Sequence, residues 1–164
     1  MSHFLLIPIF LLFTYLGLHI PKLSLEWIGI SSHRSIITHS MLIPTMLLLI
    51  KLNVTKPIVA GLCIGVSIYL AMDMASAIHG HALIRVPFFT QFSFSGWISL
   101  AWLGLNSALG LYMAVRLTTF HKRIVPSVFA CTSVAYAFYF HYSLVVLIPC
   151  LLIMVVCYRR PLLS

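Results

Sequence analysis

Acidic side chains are nearly absent from this chain: Glu26 and Asp73 are the whole complement, against ten lysines and arginines. Charge of either sign makes up 7% of the 164 residues, where soluble domains carry roughly 25%. A chain that is 62% hydrophobic, with a mean hydropathy of +1.10, cannot clothe a water-facing surface with so few charges. Soluble globular classes are thereby excluded, and an integral membrane protein is the class that remains. No cluster of four or more basic residues occurs, so neither a nucleic-acid surface nor an anionic-lipid patch is indicated. The basic residues sit singly or in pairs between apolar runs, which suits a role in membrane orientation. No CxxC pair is present, and Cys63, Cys131, Cys150 and Cys157 all lie within apolar runs, where they read as packing residues. The N-terminal stretch "MSHFLLIPIFLLFTYLGLHIP" lacks a basic leader and a small-residue cleavage site, so it reads as a retained first span.

What the chain does have is long apolar runs. They predict an all-α, polytopic transmembrane helix bundle of about five to six spans, forming a single integral membrane domain over 1–164. The spans fall at about 4–20, 35–52, 57–78 and 96–117. Trp27, in the link "PKLSLEWIGISS", reads as an interfacial anchor. From Ile124 to Tyr158 the chain runs 35 residues without a charge. As one helix that would be about 52 Å long, against a hydrocarbon core of about 30 Å. Either it folds back near "FYFHYS", giving spans at 124–140 and 142–158, or one helix continues along the interface. With the N-terminus in the cytoplasm and six spans, seven basic residues lie inside and three outside. Five spans divide them evenly, so the positive-inside rule favours six, or five plus a hairpin.

Alternating spans bring distant polar residues to one membrane face. The stretch "SSHRSIITHS" (Ser31 to Ser40) opens the second span at the outer side, with His33, Arg34, Thr38 and His39. The third span ends at the same side, with Asp73 about a turn and a half deep and His79 and His81 in the following loop. An acid within a span normally faces the bundle and has a partner. Asp73 is therefore a candidate metal ligand or general base; the alternative is an ion pair with Arg34 or Arg85. His33 and His39 stand six apart, about 120° around a helix. They can converge on one metal only if the helix starts after His33, for which Ser35 is a suitable N-cap. Arg34 has the planar fork that suits a phosphate or carboxylate. Without a ligand, the same stretch is the polar end of a membrane helix. Pro44 is expected to kink the second span and free the Ser40 carbonyl. Small residues at Gly61, Gly65, Gly104, Ala108, Gly110 and Ala114 predict close helix approaches, with Asn106 bonding between helices.

The block "HRSIITHSMLIP" resembles the HR…THS signature of the YdjM-type inner-membrane proteins, described as membrane-bound metal-dependent hydrolases. "GVSIYLAMDMASAIHGHALIRVPF" is similar to that family's later block, and "FSGWISLAWLGLNSALGL" to its following span; together the likeness covers about Tyr15 to Ala114. The resemblance implies a bacterial inner-membrane location, His33, His39 and Asp73 as ligands of a divalent metal (zinc first among the candidates), and Arg34, Thr38 and Asp73 in catalysis. Three positions depart from the family pattern. Lys22 and Ser24 stand where acids are usual, and Tyr69 stands where a histidine precedes the aspartate. A hydrolytic metal site needs about three protein ligands and an open position for water. Two functions are therefore expected as alternatives. One is a hydrolase of phosphoesters or lipid headgroups at the outer face; the other is a member that has lost the chemistry and serves as a scaffold or partner subunit. The lipid bilayer is the expected surround, a membrane protein or second copy the expected partner, and nucleic acid is not expected.

Overall fold

Proline marks where most of the helices begin. The computed structural model describes residues 3–22, 35–50, 55–78, 83–86, 93–118, 124–141, 145 and 147–159. Helices α2 (Leu42–Leu47), α3 (Thr55–Ile78), α5 (Ile124–Tyr136) and α6 (Leu147–Arg159) each carry proline as their third residue: Pro44, Pro57, Pro126 and Pro149. An N–H in the first turn has no carbonyl partner within the helix, so its loss costs nothing there, and proline's fixed φ already suits the helix. Helices α1 (His3–Gly17) and α4 (Gly96–Leu117) complete the six, with a 3₁₀ turn at Ile20–Lys22 and a π turn at Ala137–His141. Among the described residues there is no strand, only two isolated bridges, so the fold is all-helical.

Helices expected over 4–20, 57–78 and 96–117 thus form at nearly those bounds. The long run after Ile124 breaks into two helices lying side by side, with Phe129 and Ser133 of α5 and Cys150 and Met154 of α6 lining one apolar crevice. The helix expected over 35–52 does not form as one piece. In its place is a single turn at 35–39, a break, and the six-residue α2, about 9 Å long and so too short to cross a core of about 30 Å. Pro44 is the reason. a break it permits and does not dictate, since α1 runs unbroken through Pro8.

Helix α3 is the centre of the bundle. Nearly every side chain from Val59 to Asp73 is buried, with α1 on one flank and α4 on another. Gly61 and Gly65 make the α1 contact possible. A Cβ on Gly65 would run into the Thr14 carbonyl oxygen and stand 2.7 Å from the Gly17 Cα, so the two backbones touch with no side chain between them. At the α4 contact, Ser67 donates its hydroxyl to the Ser107 carbonyl, and Ser107 donates to the Ser67 carbonyl at 2.7 Å. Two hydroxyls are satisfied inside an apolar core by reciprocal bonds. Large apolar side chains face outward in number, among them Leu12, Tyr15, Trp97, Leu105, Leu152 and Val156. Helices α3 and α4 are long and apolar enough to cross a membrane; α1, α5 and α6 are shorter apolar helices. A surface this rich in exposed apolar groups suits lipid rather than water.

Candidate functional site

The site is built on the broken segment. Ser35 caps its one turn: the hydroxyl accepts the Thr38 N–H at 3.3 Å, and the carbonyl accepts the His39 N–H at 2.9 Å. Backbone pairing anchors the turn, because the Ile36 N–H donates to the Arg85 carbonyl at 3.1 Å and Phe94 donates to Ile84 at 2.9 Å. Residues 35–36, 84–85 and 93–94 are therefore stitched together at the end of the bundle where α4 begins.

Breaking a helix exposes backbone groups, and α4 supplies their partners. The Trp102 indole N–H donates to the His39 carbonyl at 2.9 Å, and the Asn106 side-chain oxygen accepts the Met41 N–H at 3.1 Å. Asn106 also donates to the Trp102 carbonyl at 3.0 Å, so two residues one turn apart close the gap. Non-helical backbone at membrane depth is tolerated where neighbouring side chains satisfy it. Asn106→Leu, which keeps the bulk and removes the acceptor, is expected to cost about 1 to 3 kcal/mol by orphaning the buried Met41 N–H. Thermal unfolding of the purified variant in detergent measures it.

Of the residues singled out in the sequence, the fold brings Thr38, His39 and Asp73 together. His33, Arg34, His79 and His81 lie outside the described residues. His39 is fully buried and Asp73 is 7% exposed. The His39 Nε2 stands 3.3 Å from the Asp73 Oδ2, and the other ring nitrogen, Nδ1, lies 3.0 Å from the Thr38 hydroxyl. Asp73 therefore pairs with His39, while Arg85, the alternative partner within the described residues, is exposed and enters through its backbone. Thr38 can donate its single hydroxyl proton to the Ser35 carbonyl or to Nδ1. In the first case Nδ1–H donates to Thr38, and Nε2 meets the carboxylate as a bare lone pair unless it too carries a proton. Neither Nε2 nor Oδ2 has a hydrogen bond of good alignment, although the two atoms are buried and close. The site therefore requires a positive charge between imidazole and carboxylate, and a proton on the ring supplies it.

Aromatic rings enclose the pair. Tyr69, one turn before Asp73 on α3, presents its edge to the His39 ring at 5.8 Å, and Tyr136 of α5 packs against Tyr69 at 6.4 Å. The Lys22 ammonium does not turn toward a carboxylate within the described residues. It lies 4.1 Å from the Phe140 ring centroid, 5.3 Å from that of Tyr136 and 5.9 Å from that of Tyr69. The order Thr38 hydroxyl, His39, Asp73 is that of a nucleophile, a base and an orienting acid. All three are nevertheless closed off, Thr38 at 3% exposure. What the chain of groups can do as it stands is hold one proton and pass it between Thr38 and Asp73.

Among the described residues no three metal-ligating side chains converge. His39 and Asp73 fall one short of the set a hydrolytic centre requires. No protein-family model, no curated protein and no solved structure matches the chain. Sequence reasoning passed over the aromatic enclosure and Trp102. A tryptophan four residues before an asparagine on an apolar helix was the one available signal of a backbone gap to be filled.

Proposed function

We propose that this chain is a polytopic membrane protein of the bacterial inner membrane, N-terminus inside, that resembles metal-dependent hydrolases but serves as a scaffold or partner subunit. The observation that carries the reading is the His39–Asp73 pair, buried and closed by aromatic rings, with Tyr69 where a third ligand would stand. In this role the pair is a clasp. It fastens the broken segment 35–47 to the central helix, as Trp102 and Asn106 fasten it to α4. Five or six crossings, counting the shorter helices α1, α5 and α6, accommodate the arrangement. The partner is a membrane protein or a second copy of this chain.

One observation favours the hydrolase reading instead. Two buried donor atoms of metal-binding type face each other without an aligned hydrogen bond, and Thr38 holds the opposite ring nitrogen, as groups behind a metal ligand do. In that case His39 and Asp73 would hold a divalent ion, which would supply an activated water. Metal content of protein purified in detergent without chelator, beside His39→Ala/Asp73→Ala, decides between them. The clasp predicts well under one divalent ion per chain, in wild type and variant alike. About one ion per chain in the wild type, lost in the variant, would establish the metal centre.

A further inference from the structure

The seat of Lys22 is unlike that of an ordinary interfacial lysine. Three aromatic rings from two separate parts of the chain, Tyr69 on α3 and Tyr136 and Phe140 at the end of α5, all lie within about 6 Å of one ammonium nitrogen, the range in which a ring face attracts a cation. Phe140 reaches this position because Ala137–His141 is a π turn, whose extra residue rotates the side chains that follow Tyr136. Among the described residues Lys22 has no carboxylate partner, Asp73 being engaged by His39. Rings alone satisfy a primary ammonium poorly. It is compact and strongly hydrated, and ring faces offer no directed acceptor for its three N–H donors. They do attract the charge, and the enclosure would suit an alkylated ammonium better.

We propose that Tyr69, Tyr136 and Phe140 form a cage for the ammonium of a zwitterionic phospholipid headgroup, with Lys22 as its resident stand-in. When the lipid ammonium enters, the Lys22 ammonium leaves the rings and meets the adjoining phosphate, gaining the acceptors it lacks in the cage. One cation is exchanged for another, and the phosphate then binds a charge that the cage had held ready. Depth supports the assignment. Phe138 and Tyr139, from the same π turn, are 59% and 74% exposed, which suits aromatic anchors at headgroup level. Lys22 closes the end of the apolar run that begins in α1. The proposal stands whether His39–Asp73 holds a proton or a metal.

The test uses the full chain in a non-ionic detergent, with thermal unfolding as the readout. Wild type is titrated with phosphocholine, phosphoethanolamine and choline, and Lys22→Ala with choline and its uncharged isostere 3,3-dimethylbutanol. The expected result is saturable stabilisation of wild type by a phospho-headgroup, at least fivefold tighter than by choline alone. Lys22→Ala should bind choline but not the isostere, and lose at least tenfold in affinity when Phe140→Leu is added. Whichever headgroup binds wild type more tightly names the lipid. Absence of saturable binding by wild type would overturn the proposal, whatever the variants do. Equal stabilisation of Lys22→Ala by choline and by the isostere would overturn it too, because the site would then read bulk and not charge.

Discussion

Gly65→Leu is expected to keep α1 from docking on α3 and to leave little or no folded protein in a detergent extract. The obstacle is main chain: the new Cβ would overlap the Thr14 carbonyl oxygen and press on the Gly17 Cα and carbonyl carbon, both 2.7 Å away. A rotatable side chain could swing aside, but a helix backbone can only retreat as a body, taking Phe10 out of the core with it. Overpacking typically costs 1 to 3 kcal/mol, and with backbone as the obstacle at least about 3 is expected here. Gly104 provides the comparison. A Cβ there would meet only Met74, at 3.2 Å from Cε and 3.6 Å from Sδ, and a methionine side chain can shift. Gly104→Ala should therefore extract and unfold much as the wild type does. Size-exclusion profiles and unfolding midpoints of the two variants side by side measure the contrast.

Asp73→Ala is expected to destabilise the protein by about 3 to 5 kcal/mol, the range for breaking a buried charge pair from one side. The cost arises mainly from what is left behind. His39 is fully buried, and its Nε2 faces only the carboxylate. Without Asp73 the ring must give up its proton or keep an uncompensated charge away from water. His39→Ala orphans the carboxylate in the same way, with a similar expected loss. Asp73→Asn should cost less than Asp73→Ala, since the amide oxygen can still accept from Nε2–H. Unfolding in detergent at constant pH provides the values.

Helix positions were largely legible in the sequence because membrane helices must satisfy their own backbone, which makes apolar length a reliable guide. The bounds of α4 and α3 follow the apolar runs almost to the residue. The second span was misread because length and hydropathy cannot distinguish a spanning helix from a segment whose gaps another helix fills. Trp102 and Asn106, more than sixty residues away, decide that case. Read together, Pro44, Pro57, Pro126 and Pro149 would have marked four helix starts, Pro44 included. At the site, alternating topology correctly brought Asp73 to the level of His39, and Ser35 was legible as a cap. The pairing itself was not. Asp73 was read as a ligand or as a partner of Arg34 or Arg85, because sequence gives depth in the bilayer but not the rotation of one helix against its neighbour. The ring enclosure around Lys22 was invisible for the same reason, since it depends on a π turn that composition does not announce.

A double-mutant cycle on His39 and Asp73, run once with chelator and once with zinc supplied, tests the clasp most directly. If each residue matters because of the other, His39→Ala/Asp73→Ala should be no less stable than either single variant. The coupling should be about 2 kcal/mol or more, within the span measured for contacting residues, and unchanged by zinc. Additive losses would contradict the account, because the two side chains would then act independently. Coupling that appears only when zinc is present would contradict it as well, and would make the pair a metal centre.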